Sequence, residues 1–225
     1  GDGAHRIGLA DYTLADVVQN VSRLDIQLLK RSLTKHSSGL YLLPRPVELH
    51  DTNAISADNI RKVIGLLKAS FTHLIIDLSK TYSLIDMAAI ESASKVVLVT
   101  QLDLPCLRNV VRLMMSFEEM DDLKEKVEIV VNRAGLDSGQ ISLKKAKETL
   151  GREVFALLPN DYRTMVEVRN NGVPLIVQAP RAGITHAIRE LASKLEGTNQ
   201  RTGDDGQPAV KAGESKWKKF WPGTR

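Results

Sequence analysis

The sequence is poor in cysteine, in charge excess and in long apolar runs, and each shortage excludes something. One cysteine, Cys106, stands among 225 residues, so an internal disulfide is excluded and a reducing cytosolic setting is the expectation. No apolar run approaches the roughly 20 residues of a membrane-spanning helix. The opening "GDGAHRIGLADYTLADVV" lacks the basic-then-apolar order of a secretory signal. The formal charge of +4 is concentrated at one end. After Gly197 six cations face three acids, which leaves +1 for residues 1–197. A globular part so balanced offers no broad phosphate-binding face, and no nucleic-acid partner is expected. The five histidines, His5, His36, His50, His73 and His186, are scattered and show no metal-ligand spacing with Cys106. No G-x-S-x-G elbow is present to support a serine hydrolase.

At 43% hydrophobic residues the chain can bury a full core. From about residue 38 it repeats one alternation: a short apolar run, a polar turn, a segment of helical period. The runs "GLYLLP", "HLIIDL", "KVVLVTQL", "VEIVVNR" and "VFALLP" are nearly continuous in apolar residues, as parallel strands covered on both faces are. Between and after them, "SADNIRKVIGLLKASF", "PCLRNVVRLMMSFEEM", "SLKKAKETLG" and "TMVEVRNNG" read as helices; Leu107, Val110, Val111 and Met114 share one face, and Pro105 suits a first turn. The pattern predicts a doubly wound α/β domain with a mostly parallel sheet and helices on both faces, over residues 38–196. Residues 1–37 form a helical lead-in, in which Thr13 with Asp16 suits an N-cap, and Gly39 just after it suits a stop. A last helix is expected from about Ile184 to Leu195. Residues 197–213 lose all apolar periodicity and read as a flexible linker, and residues 214–225 as a basic aromatic tail.

Ligands of open α/β sheets sit beyond the carboxyl ends of the strands. Four such ends carry chemistry: Asp77, Thr100 to Asp103, Asn132 with Arg133, and Pro159 to Asp161. "HLIIDL" is an apolar run ending in Asp, the Walker B pattern, whose acid serves the magnesium shell of a nucleotide. The same pattern also suits a carboxylate that caps the next helix. Its usual companion, G-x-x-x-x-G-K-[ST], does not occur in these residues, nor does any Gly-Lys dipeptide. A phosphate-accepting receiver domain is excluded, because the strand after Thr100 ends in "NRA" without the lysine that chemistry needs.

Taken in order, "DYTLADVVQN", "HLIIDLSKT", "TQLDLPCLRN", "VEIVVNRAG", "LPNDYR" and "APRAGITHAIRELASKL" resemble the ParA/MinD family of P-loop ATPases, and within it the pilus-assembly branch of CpaE/TadZ proteins. The resemblance covers about residues 10–196. It implies ATP and magnesium as cofactors, with Asp77 as the catalytic, metal-side acid. It places Asn132 and Arg133 at the adenine, with Pro159, Asn160 and Asp161 bordering the base from the other side. It further implies an ATP-linked homodimer acting with pilus or secretion components, a cytoplasmic protein reaching the inner face of the membrane or the pole. A non-catalytic scaffold of the same fold and a DNA-partitioning ATPase are the alternatives. The family has proline two residues after the acid, where this chain has Ser79. Family members also carry the P-loop upstream of the matching part, so the chain reads as the carboxy-terminal portion of such an ATPase, inactive alone and poorly satisfied around "LIIDL".

Both tryptophans lie in "KWKKFWPGTR", where Trp217, Phe220 and Trp221 fall at i, i+3, i+4 among lysines. MinD-type relatives use a carboxy-terminal amphipathic segment on membranes, and the resemblance implies a weak contact of that kind here. Cations worth about 1 kcal/mol each near an anionic surface give roughly 4 kcal/mol in all, a millimolar-scale association. Removal of residues 214–225 is expected to abolish co-sedimentation with anionic liposomes; equal binding with and without them rejects the membrane role.

Overall fold

The computed structural model describes residues 12–46, 55–79, 82–118, 120, 123–136 and 139–201. The linker from Thr202 onward and the aromatic tail lie outside the described residues. The chain divides into two compact units, with the boundary between Ser92 and Ala93.

The first unit begins with α1 (Leu14–Gln19) and α2 (Ile26–Arg31). Thr13 and Asp16 form the expected capping box, with Thr13 N and Oγ1 both donating to Asp16 Oδ2 at 2.7 and 2.8 Å. Those two hydrogen bonds hold the Asp16 carboxyl below its ordinary range. Gly39 is not a helix stop. It takes φ 88° in the turn of a two-stranded antiparallel hairpin, β1 (Thr34–Lys35) and β2 (Tyr41–Leu42). "GLYLLP" is therefore not a parallel strand. Pro44 and Pro46 lack the N–H that a longer ladder needs, and the Pro44 carbonyl instead accepts from Leu14 N at 2.9 Å.

Helix α3 (Ala57–Ser70) starts at Ser56, whose hydroxyl accepts from Asn59 N. It buries Ile60, Val63, Ile64 and Leu67, the i, i+3, i+4, i+7 stripe of an amphipathic helix. One side of that stripe packs with Val17, Val18, Leu24 and Leu29, the other with Ala88 and Ala89 of α4 (Leu84–Ser92). Between α3 and α4 lies "HLIIDL", which forms no strand with any described residue. Leu74 and Leu78 pack onto the α3–α4 cluster, while Ile75 is 86% exposed. One face of the segment is covered and the other open, where coverage of both was expected.

The second unit is a right-through β-α-β-α-β run, with β3 (Val96–Thr100), β4 (Val127–Ala134) and β5 (Ala156–Pro159) in one parallel sheet of order β3-β4-β5. Helix α5 (Leu104–Glu118) connects the first pair, followed by the short α6 (Leu123–Lys126). Helix α7 (Leu143–Leu150) connects the second pair. Then come α8 (Tyr162–Asn171), α9 (Leu175–Gln178) and α10 (Gly183–Arg201). The doubly wound α/β class read from the sequence is the class observed. Helix α5 buries Leu107, Val110, Met114 and Phe117 against β3 and α7. Helix α10 lies against β5, where Lys194 Nζ donates to the Phe155 carbonyl at 3.3 Å. It continues to Arg201, past the linker start expected at 197. Strand β3, the edge strand among the described residues, leaves Val97 and Val99 open, 37% and 57% exposed, against the expectation of cover on both faces.

Leu107 is fully buried, at 0% exposure, so Leu107→Ala is expected to cost about 2–5 kcal/mol in urea denaturation. Val99→Ala on the open edge is expected to change stability by less than about 0.5 kcal/mol.

Candidate functional site

The residues singled out at the strand ends fall in both units. Asp77 belongs to the first; Asn132, Arg133, Pro159, Asn160 and Asp161 belong to the second.

In the second unit the ends of β4 and β5 form one corner. The two strands pair in parallel through Val131 and Leu157, then shift register so that Ala134 meets Pro159. The shift is a bulge, and it turns Arg133 to φ 55°, a left-handed backbone that costs a non-glycine residue roughly 1–2 kcal/mol. Several bonds hold it. Arg133 N donates to Asn132 Oδ1 at 2.9 Å, and Arg133 Nε donates across the strands to Asn160 Oδ1 at 3.3 Å. Asn160 N donates to the Ala134 carbonyl at 2.8 Å. The structure thus brings Asn132, Arg133, Pro159 and Asn160 together. Asp161 sits one residue on, and its carboxylate caps α8 by accepting from Thr164 N at 3.2 Å.

Gln140, which the sequence reading passed over, clamps the same corner. Its Nε2 donates to the Arg133 carbonyl at 2.8 Å, and its Oε1 accepts from Gly135 N and Leu136 N, both at 3.0 Å. Nothing in local periodicity marks a glutamine seven residues beyond an arginine, so pattern reading had no signal for it. With both carbonyl oxygens engaged, the side-chain amino groups of Asn132 and Asn160 remain as donors without a described partner. Two amide donors beside a planar, half-tethered guanidinium suit the acceptor nitrogens and the face of a purine ring. The end of β3 has plainer roles: Thr100 is buried, and Asp103 caps α5 by accepting from Cys106 N at 2.8 Å.

Asp77 in the first unit stands apart from its neighbours chemically. It is exposed and makes no hydrogen bond or ion pair with any described residue. It does not cap the following helix. That work is done by Ser83 and Asp86, a capping box in which Ser83 N donates to Asp86 Oδ2 at 2.8 Å and Asp86 N donates to Ser83 Oγ at 3.3 Å. The S-x-x-D spacing of residues 83–86 could have revealed α4, which the sequence reading omitted. Asp86 is only 5% exposed. Burial alone would raise its carboxyl, but the hydrogen bonds from Ser79 and Ser83 outweigh it and hold the group below its ordinary range.

Among the described residues no three His, Cys, Asp or Glu side chains gather as a metal cage. A single free carboxylate fits magnesium, which keeps most of its waters and takes one or two protein acids together with phosphate oxygens. No described helix is long and apolar enough to cross a membrane.

No family model matches the chain. The chain is 26% identical over 190 residues to the septum site-determining protein MinD of Synechocystis, across 83% of this chain and 69% of that one. A ParA family ATPase from Chlorobium tepidum superposes with a TM-score of 0.78 at 22% identity, over 83% of this chain and 77% of that one. MinD of Pyrococcus horikoshii, solved with Mg-ADP, gives a TM-score of 0.70 at 21% identity, over 89% and 81%. The chain has MinD homologues and the fold of the ParA/MinD P-loop ATPases.

The low-lying Asp86 carboxyl gives a signed expectation. Stability from a depressed folded-state value is complete above the unfolded-state value near 3.9 and is lost as pH falls through the folded one. Asp86→Ala is therefore expected to cost about 1–3 kcal/mol at neutral pH, with the difference from wild type shrinking below about pH 4 in acid denaturation.

Proposed function

We propose that this chain belongs to a ParA/MinD-type ATPase of the CpaE/TadZ branch. It acts in the placement or assembly of pilus or secretion machinery through ATP-linked homodimerisation. The observation that supports this most is the corner at the ends of β4 and β5, where Asn132, Arg133 and Asn160 are tied into one bulged, hydrogen-bonded edge. That edge would hold adenine, with Pro159 and Asp161 bordering it. Asp77 would hold the water shell of magnesium. Magnesium-bound ATP would supply the phosphoryl group and the charge that a dimer switch reads.

A cytoplasmic protein with peripheral contact at the inner membrane face follows from the same reading, the contact residing in Trp217, Phe220 and Trp221. A DNA-partitioning role is disfavoured by the charge balance of residues 1–197.

Titration of the full chain with Mg·ATP, followed by NMR, is expected to perturb Asn132, Arg133 and Asn160 saturably, with a dissociation constant on the order of millimolar. Arg133→Ala is expected to weaken it roughly fivefold, the worth of about one hydrogen bond. No response at these residues, or the same response to bare triphosphate, rejects the nucleotide site. In-cell crosslinking is expected to recover pilus or secretion proteins; recovery of division proteins or DNA alone rejects the CpaE/TadZ assignment.

A further inference from the structure

The Asp86 carboxylate does more than cap a helix. A capping box needs only Ser83 and Asp86. Here the same buried carboxylate also reaches seven residues back, accepting from Ser79 N at 3.3 Å on Oδ1 and from Ser79 Oγ at 2.7 Å on Oδ2. With Ser83 N and Ser83 Oγ, at 2.8 and 2.9 Å, four donors converge on one charged group in a half-buried setting. Charge-assisted bonds of this kind are the stronger ones, and a carboxylate so satisfied is costly to displace.

The consequence falls on Asp77. Residues 73–79 have no strand ladder among the described residues, and the contacts these residues do show come from side chains. Leu78 packs into the cluster of Ile60, Ile64, Ala88 and Ala89, and Ser79 is bonded to Asp86. Two consecutive anchors therefore follow Asp77 directly, and Leu74 packs three residues before it. Ser79 is thereby tied to the same carboxylate that accepts from Ser83, the residue after Tyr82, which holds φ 51°, a conformation a tyrosine keeps only under constraint.

We propose that Asp86 is a positioning residue for Asp77, acting through Ser79: it fixes the backbone that presents the metal-side carboxylate. The assignment of Asp77 to magnesium rests on the function proposed above, whereas the mechanical coupling does not. Measurements on the full chain separate the two. Backbone ¹⁵N order parameters are expected to lie near about 0.85 at Asp77 and Leu78 in the wild type and to fall below about 0.6 in Asp86→Asn. Ser79→Ala, which removes the hydroxyl bond to Asp86 and keeps the backbone one, should lower them less, and Ser79→Thr, which keeps the hydroxyl, should preserve them. The Mg·ATP response at Asp77 should weaken about tenfold in Asp86→Asn and vanish in Asp77→Asn.

A wild-type Asp77 that is already mobile, or one whose order is unchanged in both Asp86→Asn and Ser79→Ala, overturns the proposal. So does a Mg·ATP response lost in Asp77→Asn but intact in Asp86→Asn. A response unaffected by Asp77→Asn overturns instead the magnesium role of Asp77, and the order parameters then decide the coupling alone.

Discussion

Backbone pairing is the constraint from which the rest of this molecule follows. A strand's N–H and C=O groups need neighbours, and β4 has them on both sides, β3 through Val96–Thr100 and β5 through Ala156 to Pro159. Val127, Ile129, Val130 and Val131 are buried at 0–2% exposure, so the strand is locked by hydrogen bonds and by packing together. Its rigidity is what makes the bulge at its carboxyl end informative. A register shift on a fixed strand delivers the same side chains to the same place every time, and here it delivers Asn132 and Arg133 beside Asn160.

The segment ending in Asp77 shows the opposite case. Its composition is that of a buried strand, yet no described residue pairs with it, and Ile75 stands 86% exposed. Composition reports what a segment is suited to; pairing depends on a neighbour that local sequence does not contain. The same reason explains "GLYLLP", where Pro44, with Pro46 just beyond it, ends the ladder and the glycine serves a hairpin turn. The three strands and the helices α5 and α7 of residues 95–159 were legible because each carries its own period, whereas the four-residue α6 is too short to show one. Ser142 caps α7, and Gly151, at φ 62°, ends it.

The site was legible only in part, and the division has a physical cause. Strand-end residues such as Asn132, Arg133 and Asn160 are found by counting from apolar runs, since the fold puts ligands at those ends. The residues that hold them are not. Gln140 reaches the Arg133 carbonyl, and Asp86 reaches Ser79, across loops whose course no local pattern specifies. A reading of strand ends finds the side chains that would touch a ligand and misses those that keep them still.

Two aspartates nine residues apart make the electrostatic version of this point. Asp86 is buried, accepts from four donors and is held below its ordinary range. Asp77 is exposed and accepts from no described residue. A fold that stabilised both carboxylates internally would leave nothing for a cation to gain by binding. Because Asp86 takes the donors of Ser79 and Ser83, those groups are not left to turn toward Asp77. The helix-capping role that the sequence left open for Asp77 belongs instead to Ser83 and Asp86, so of the two readings of the "HLIIDL" carboxylate the cap is the one the structure removes.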